Sequence, residues 1–319
     1  MTGILDLAIR YPEGRADVRS MHAASGVPES EIRAITHTAR IPALGDAELS
    51  WPLAAAAARD VLERTGTAPE EISQVLFCGS GEWDRPFWSP AAKVADELGI
   101  RGAHCFELGN FCNAGALALR IAADRLALDG GGRILVLVAD RLGRMVDYRD
   151  PGAKALFNFG DAAAAILLTG GRARFAVRHS AMRTDPSWVD YYYGEPTADG
   201  VRIRRAAHRA GLAAAYVDNF STLIDTTLDA LGRKLDEVAY LLINQGDKDM
   251  HERLLGHLGL PAERSVANYD RLGHMGGTDT FIALDALLDQ GALRPGDLIL
   301  LATSAMGFSW GVTALEFLR

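Results

Sequence analysis

The sequence has little cysteine, no long apolar run and no excess of positive charge. Only three cysteines, Cys78, Cys105 and Cys112, occur in 319 residues, so a disulfide framework is not expected. We expect the protein to be located in a reducing cytoplasm. No apolar run reaches the length of a membrane span, and residues 1–10 lack the layout of a signal peptide. The net charge of −8 argues against binding to nucleic acid or anionic membranes.

Motifs for metal binding are missing as well. Neither HExxH nor CxxC occurs, and the scattered histidines show no ligand spacing, so no metal site is expected. A local basic cluster is nevertheless present, and a solvated surface is its favoured interpretation. The cluster consists of Arg202, Arg204, Arg205, His208 and Arg209.

Hydrophobic patterning indicates an α/β protein whose second half repeats the first. The first half begins with a helix over 53–64, a strand in EEISQVLFCGSG and a helix that ends in ELGI. A further strand, the helix after Cys112 and the strand RILVLVAD follow. In the second half a helix over about 213–231 precedes LDEVAYLLINQGD, HLGL, SVANYD, another helix and DLILLATSA. Matching order and spacing over roughly 100 residues per half indicates an internal duplication.

The strand patterns predict how the two halves are built. Most strands are continuous apolar runs, which is typical of a sheet covered by helices on both faces. Strands that alternate with helices favour largely parallel pairing. We therefore expect two pseudo-symmetric halves, residues 1–171 and 172–319, packed into one layered body.

The long segment 185–211 interrupts the repeat. It carries four aromatic residues, Trp188, Tyr191, Tyr192 and Tyr193. Long loops are either functional or irregular surface, so this segment is either a cap over a site or a plain surface excursion.

Cys112 lies where a short polar stretch meets a helical pattern. Apolar and small residues recur every three or four positions from Ala116 to Leu126, so a helix should begin near Asn113. Unpaired backbone N–H groups and the dipole at a helix start favour the thiolate, which is the nucleophilic form. A buried structural cysteine is the alternative interpretation.

Four segments stand at expected strand ends or helix starts, where open α/β sheets form active sites. They are NFCNAG (110–115), INQGD (243–247), LGHMGGTDT (272–280) and SAMGFSWG (304–311). Together with NFGDAAAAILL (158–168) and LRPGDLILLATS, they resemble 3-oxoacyl-acyl-carrier-protein synthase III, the ketosynthase III family of the thiolase superfamily. The resemblance covers nearly the whole chain. It implies a thiolase fold of five α-β-α-β-α layers, a homodimer, and acyl thioester chemistry at a cysteine.

The resemblance assigns the nucleophile to Cys112 but leaves the other two catalytic positions exchanged. Asn244 stands where the family has histidine, and His274 stands where it has asparagine. One interpretation is an acyltransferase, in which His274 is the general base and Asn244 an orienting residue or polar donor. In this acyltransferase the acyl group would pass from a thioester to Cys112 and then to a hydroxyl or amine.

Two other interpretations remain open. Decarboxylative condensation to a 3-oxoacyl product could survive with the two roles traded, since an enolate needs hydrogen-bond donors at its oxygen. A non-catalytic partner subunit of a ketosynthase is the third, although the retained Cys112 argues against it. Rearranged relatives act as acyltransferases in secondary metabolism such as polyketide biosynthesis, which favours acyl transfer.

The resemblance also implies an oxyanion hole and an acyl pocket. The backbone N–H groups of Cys112 and Gly307 would form the oxyanion hole. In the family a loop corresponding to residues 81–90 crosses the dimer and lends an aromatic side chain to the neighbour's pocket. Phe87 is the best match, with Trp83, Trp88 and Phe308 as further pocket residues, and ordinary interface packing is the alternative.

No tightly bound cofactor is expected. Family members that load from coenzyme A hold its adenine between a tryptophan and an arginine, but the corresponding stretches here are Ile32–Arg33 and Asp150–Gly152. This departure favours the phosphopantetheine thioester of an acyl carrier protein as donor over acyl-CoA. Neither the acyl group nor the small-molecule acceptor is defined by the sequence.

Overall fold

The computed structural model describes residues 2–319. Within them the strands are β1 (Gly3–Arg10), β2 (Arg15–Asp17), β3 (Arg40–Pro42), β4 (Ile72–Gly79), β5 (His104–Gly109), β6 (Arg133–Ala139), β7 (Ala163–Thr169), β8 (Phe175–Thr184), β9 (Tyr192–Thr197), β10 (Gly200–Arg205), β11 (Val238–Ile243), β12 (Leu298–Ala305) and β13 (Ser309–Phe317). The α-helices are α1 (Val18–Ser25), α2 (Glu29–Thr36), α3 (Ser50–Thr65), α4 (Pro90–Glu97), α5 (Ala114–Asp129), α6 (Leu142–Met145), α7 (Leu212–Leu231), α8 (Lys248–Leu258) and α9 (Asp279–Asp289).

One large sheet joins both halves in the order β11-β12-β13-β8-β1-β7-β6-β4-β5. The two halves meet where β1 and β8 pair briefly, at Gly3 with Ala176 and Ile4 with Phe175. Counted from this junction, the first half runs β1-β7-β6-β4 and the second β8-β13-β12-β11, so the same order recurs. The expected pseudo-symmetry of the fold is confirmed.

The first half has one further edge strand, β5, whose counterpart SVANYD is not a strand. The Gln245 side chain reaches this segment instead. Its Nε2 donates to the Val266 carbonyl at 3.1 Å, and its Oε1 accepts from the Asn268 N–H at 2.9 Å. A side-chain amide thus replaces the strand pairing that the repeat predicts.

The expectation of largely parallel pairing is wrong. β4 pairs in parallel with β5 and β6, and β11 pairs in parallel with β12. The β1–β7, β6–β7, β12–β13 and β13–β8 pairs are antiparallel. Continuous apolar runs show that both faces of a strand are covered, but they carry no information about its direction.

The first-half strands and the second-half strands of this sheet form two β layers, and helices lie between them and on their outer faces. α5 and α9 lie in the middle, where Leu119 and Phe281 belong to a core that includes Ile166 of β7 and Leu301 of β12. α3 and α4 cover the outer face of the first half, and α7 and α8 cover that of the second. The α-β-α-β-α arrangement expected of a thiolase fold is therefore present. No helix within residues 2–319 is long and apolar enough to cross a membrane.

Candidate active site

The Cys112 thiol lies at the start of α5, as the helical pattern predicts. A single 3-10 turn, Phe111–Asn113, links β5 to this helix. Cys112 is buried, with 8% of its surface exposed, and it lines a cavity of about 610 Å³. Asn244 and His274 line the same cavity, so the structure brings the three expected residues to one place.

His274 connects the thiol to a buried carboxylate. Its Nε2 lies 3.2 Å from the Cys112 Sγ, and its Nδ1 lies 2.6 Å from the Asp279 Oδ2. The imidazole is 3% exposed and the carboxylate 1%. The ring also packs edge-on against Phe159, at 5.0 Å between centroids. Cys112, His274 and Asp279 therefore form a hydrogen-bonded chain, which we call the triad.

Charge within the triad favours a protonated imidazole. Burial opposes the positive charge on His274, but the adjacent Cys112 and Asp279 outweigh it and hold the pKa of His274 well above its usual value. The two neighbouring groups therefore stabilise the protonated form of the imidazole. This form provides an acid for the leaving group of a thioester.

Asp279 was not singled out from the sequence. An aspartate at a helix start is ordinarily a helix-stabilising residue, so its pattern carries no catalytic signal. In the structure its Oδ2 also accepts from the Gln245 N–H at 2.6 Å, and its Oδ1 accepts from the Met275 N–H at 2.8 Å. These backbone donors keep the carboxylate fixed beneath the His274 ring.

Asn244 does not orient His274. Its Nδ2 donates to the Ser304 carbonyl at 3.2 Å, and its Oδ1 accepts from the Ser304 N–H at 3.0 Å. The amide thereby holds the end of β11 against β12. Asp279 holds the imidazole instead, and the alternative role expected of Asn244, a polar donor in the cavity that it lines, stays a prediction.

Gly307 lies in the turn between β12 and β13, beside the cysteine turn. Its φ of 77° is in the left-handed region, which favours glycine. A Cβ on Gly307 would lie 3.2 Å from the Cε2 of Phe111, the residue before the nucleophile. The two turns that carry the expected oxyanion donors are therefore in contact.

Among the expected pocket aromatics, only Phe308 lines the cavity of its own chain. Phe87 is fully exposed at a loop tip, with a φ of 52°. Trp83 packs edge-on against Phe77 at 5.7 Å, and Trp88 lies under the Arg85 guanidinium at 5.8 Å. A place for Phe87, Trp83 and Trp88 in a neighbouring chain's pocket stays a prediction.

The segment 185–211 covers the cavity, so the first of its two interpretations is confirmed. Trp188 and Tyr191 are buried against Phe308, at 5.9 and 6.0 Å between ring centroids. Tyr191 and Tyr192 line the cavity wall. The segment is therefore a cap with an aromatic inner face.

The basic cluster divides between this cavity and the surface. Arg205, His208 and Arg209 line the cavity and are themselves exposed, so they lie at its mouth. Arg204 is occupied elsewhere, by ion pairs with Glu195 at 2.7 Å and Asp147 at 3.1 Å. The solvated-surface interpretation is therefore incomplete, because part of the cluster faces the cavity.

A second cavity of about 320 Å³ adjoins the first. Its lining includes Asp150, Gly152, Arg204, Arg205 and His208. Within residues 2–319, no group of three or more His, Cys, Asp or Glu side chains is arranged to hold a metal ion.

The layers and the buried cysteine define a thiolase-fold protein, and comparisons with known proteins identify its family. Residues 106–186 match 3-oxoacyl-[acyl-carrier-protein] synthase III, and residues 228–317 match the C-terminal part of the same family, which together is more than half of the chain. The chain belongs to this family of thiolase-fold enzymes.

Individual relatives agree with this result. The β-ketoacyl-[acyl-carrier-protein] synthase III of Sinorhizobium medicae is 28% identical over 280 residues, which cover 86% of each chain. The crystal structure of the Aquifex aeolicus 3-oxoacyl-[acyl-carrier-protein] synthase III superposes with a TM-score of 0.88 at 22% identity, covering 99% of this chain and 100% of that one. ChlB3, named an acyltransferase, superposes with a TM-score of 0.84 at 22% identity, covering 100% of this chain and 98% of that one.

Proposed function

We propose that the protein is an acyltransferase that moves an acyl group from a thioester to Cys112 and then to a hydroxyl or amine. The observation that carries the proposal is the contact of His274 with both the Cys112 thiol and the Asp279 carboxylate. This arrangement supplies a nucleophile, a proton carrier and a group that orients the carrier.

Loading begins with attack by the Cys112 thiolate on the thioester carbonyl carbon. The carbonyl oxygen becomes an oxyanion, for which the N–H groups of Cys112 and Gly307 are the proposed donors. When the intermediate collapses, the carbon–sulfur bond to the donor breaks and the departing thiolate takes the proton of the His274 imidazolium. An acyl-cysteine, a free thiol and a neutral imidazole result.

Transfer then uses the neutral imidazole as a base. Acylation removes the thiolate charge that had raised the pKa of His274, while Asp279 remains to stabilise the cation that forms next. The His274 Nε2 takes the proton of the acceptor as its oxygen or nitrogen attacks the acyl-cysteine. Collapse of this intermediate releases the Cys112 thiolate and regenerates the ion pair.

Decarboxylative condensation fits this geometry less well. It requires hydrogen-bond donors from the positions of both Asn244 and His274 at the thioester oxygen, where an enolate develops. Here Ser304 binds both the Nδ2 and the Oδ1 of Asn244, which leaves one amide N–H as a donor, and the His274 Nε2 faces the thiol. ChlB3 is named an acyltransferase and has the same fold, so the fold is compatible with that activity.

The residues at the cavity mouth and the exposed loop that carries Phe87 support proposals for the acyl donor and for a homodimer. Arg205 and Arg209 provide positive charge where the phosphate of a phosphopantetheine arm would enter, and His208 lies beside them. We assign the donor to an acyl carrier protein, with acyl-CoA as the alternative, and no cofactor held between turnovers. Phe87 projects from the chain, and we propose that it reaches the acyl pocket of a second copy in a homodimer.

Intact-protein mass spectrometry tests the proposal. The protein is mixed with acetyl and malonyl carrier-protein thioesters and with the corresponding CoA thioesters. We expect an acyl adduct that disappears in Cys112→Ala and persists in Cys105→Ala, the matched control at a half-buried thiol. A malonyl adduct that is retained supports acyl transfer.

Two outcomes contradict the proposal in different ways. Conversion of the malonyl adduct to acetyl would show decarboxylation and favour condensation. An unmodified mass with every donor would favour a non-catalytic subunit.

A further inference from the structure

Two turns from opposite halves of the protein are joined by buried polar side chains. The first is the turn that carries Cys112, flanked by Asn110 and Asn113. The second is the turn that carries Gly307, flanked by Thr303 on β12 and Ser309 on β13. We call these four flanking residues the polar clamp.

The clamp is a chain of side-chain hydrogen bonds. The Thr303 hydroxyl donates to the Asn113 Oδ1 at 2.5 Å, and the Asn113 Nδ2 donates to the Ser309 Oγ at 3.4 Å. The Ser309 hydroxyl in turn donates to the Asn110 Oδ1 at 3.2 Å. Each residue that flanks the cysteine turn is therefore bonded to a residue that flanks the glycine turn.

Burial makes these bonds selective for one arrangement. Asn113 is fully buried, Thr303 is 2% exposed and Ser309 is 7% exposed. A buried polar group without a partner is costly, so a shift of either turn is penalised. The space for the Asn113 amide depends on Gly311, where a Cβ would lie 2.6 Å from the Asn113 Oδ1.

Both turns also hold uncommon backbone conformations. Phe111 has a φ of 49° and Phe308 a φ of 54°, in the left-handed region that residues with side chains rarely occupy. Such conformations persist only where the surroundings enforce them. The clamp bonds lie immediately beside both residues and supply that constraint.

From this geometry we propose that the polar clamp sets the spacing between the backbone N–H groups of Cys112 and Gly307. It rests on the proposed function, because these groups are the proposed oxyanion donors. Asn113 and Thr303 are thus positioning residues, which act on the carbonyl oxygen through the backbone of their neighbours. Among residues 2–319, their side-chain hydrogen bonds go to each other and to Ser309, and none goes to His274 or Asp279, the pair proposed to activate the thiol.

A comparison of two reactions at the same thiol tests the clamp. Loading from a thioester passes through an oxyanion, whereas alkylation of Cys112 by iodoacetamide displaces iodide and forms none. In Thr303→Val, which leaves the Asn113 Oδ1 without its donor, loading should slow by roughly tenfold or more while alkylation stays within about twofold of wild type. Thr303→Ser keeps the hydroxyl and should restore loading.

A second variant distinguishes loss of the clamp from misfolding of the Thr303→Val protein. Ser309→Ala removes the other bond to Asn113 with less loss of packing, and it should show the same selective loss. Parallel loss of loading and alkylation, or failure of Thr303→Ser to restore loading, would show a general structural role and overturn the inference. Normal loading by Thr303→Val and Ser309→Ala would overturn it as well. If wild-type protein alkylates but never loads, the proposed function fails, and the inference with it.

Discussion

Two buried histidines line the same cavity and differ in what surrounds them. His274 contacts Cys112 and Asp279, and its pKa is held well above the usual value. His251, on α8, lies 2.8 Å from the Ser265 Oγ and 3.3 Å from the Tyr269 hydroxyl, and burial lowers its pKa to about 4. They are 3% and 4% exposed, so burial alone does not explain the difference.

The difference shows that the charge of the partners decides which histidine can carry protons. Removal from water disfavours an imidazolium at both positions. Anionic partners reverse this at His274, whereas the neutral hydroxyls around His251 cannot. The Ser265 hydroxyl donates onward to the Leu241 carbonyl at 2.6 Å, which makes His251 part of the link between α8 and β11. We therefore expect a chemical role for His274 and a structural role for His251.

The largest expected effect comes from removing the base. His274→Ala should slow deacylation of the Cys112 acyl-enzyme by about 10²- to 10⁴-fold, because no group remains to take the acceptor proton. Water serves as a surrogate acceptor, and loss of the acyl adduct with time is followed by intact mass spectrometry. His251→Ala, in the same cavity, is the matched control and should deacylate at nearly the wild-type rate. Equal rates in the two variants would remove the distinction between the histidines.

A smaller effect should follow when His274 keeps its ring but loses its anionic partner. Asp279 raises the pKa of His274, so Asp279→Asn should lower the pKa of the imidazole. Loading needs the imidazolium to protonate the departing thiolate of the donor and therefore declines as pH rises through this pKa. The decline should begin at a lower pH in the variant, as measured by the pH dependence of the loading rate.

Asp161→Asn is the control for this shift. Asp161 is a buried carboxylate that accepts from the backbone N–H groups of Leu44 and Gly143 rather than from His274. Its replacement should leave the pH profile of loading in place. A profile that moves as far in Asp161→Asn as in Asp279→Asn would mean that general electrostatics, not the triad, sets the pKa.

The smallest effect concerns stability, and it isolates His251. Its pKa lies below the usual 6.5 in the folded protein, so the unfolded chain binds the proton more readily and stability is lost as pH falls from about 6.5 to 4. His251→Gln should reduce this loss by on the order of 2 kcal/mol. Urea unfolding at the two ends of this pH range measures the difference. The exposed His257 lies on the same helix, and His257→Gln should retain the wild-type loss of stability.

Several features of the protein were predictable because they depend on neighbours in the chain. The start of α5 beside Cys112 follows from a local apolar period, and the two matching halves follow from a repeated order of elements. The exchange of Asn244 and His274 was visible from the motifs that contain them. Strand direction was not predictable, because an apolar run is the same whichever way its neighbour points.

The sequence by itself determined the α/β layers, the thiol at a helix start and the unusual pair of residues that accompanies it. Only the tertiary structure decided that Asp279, rather than Asn244, holds His274, and that Asn113 joins the cysteine turn to Thr303. The physical reason is that hydrogen bonds and pKa shifts depend on distances of a few ångströms between groups far apart in the chain. Such distances exist only after the two halves have packed around α5 and α9.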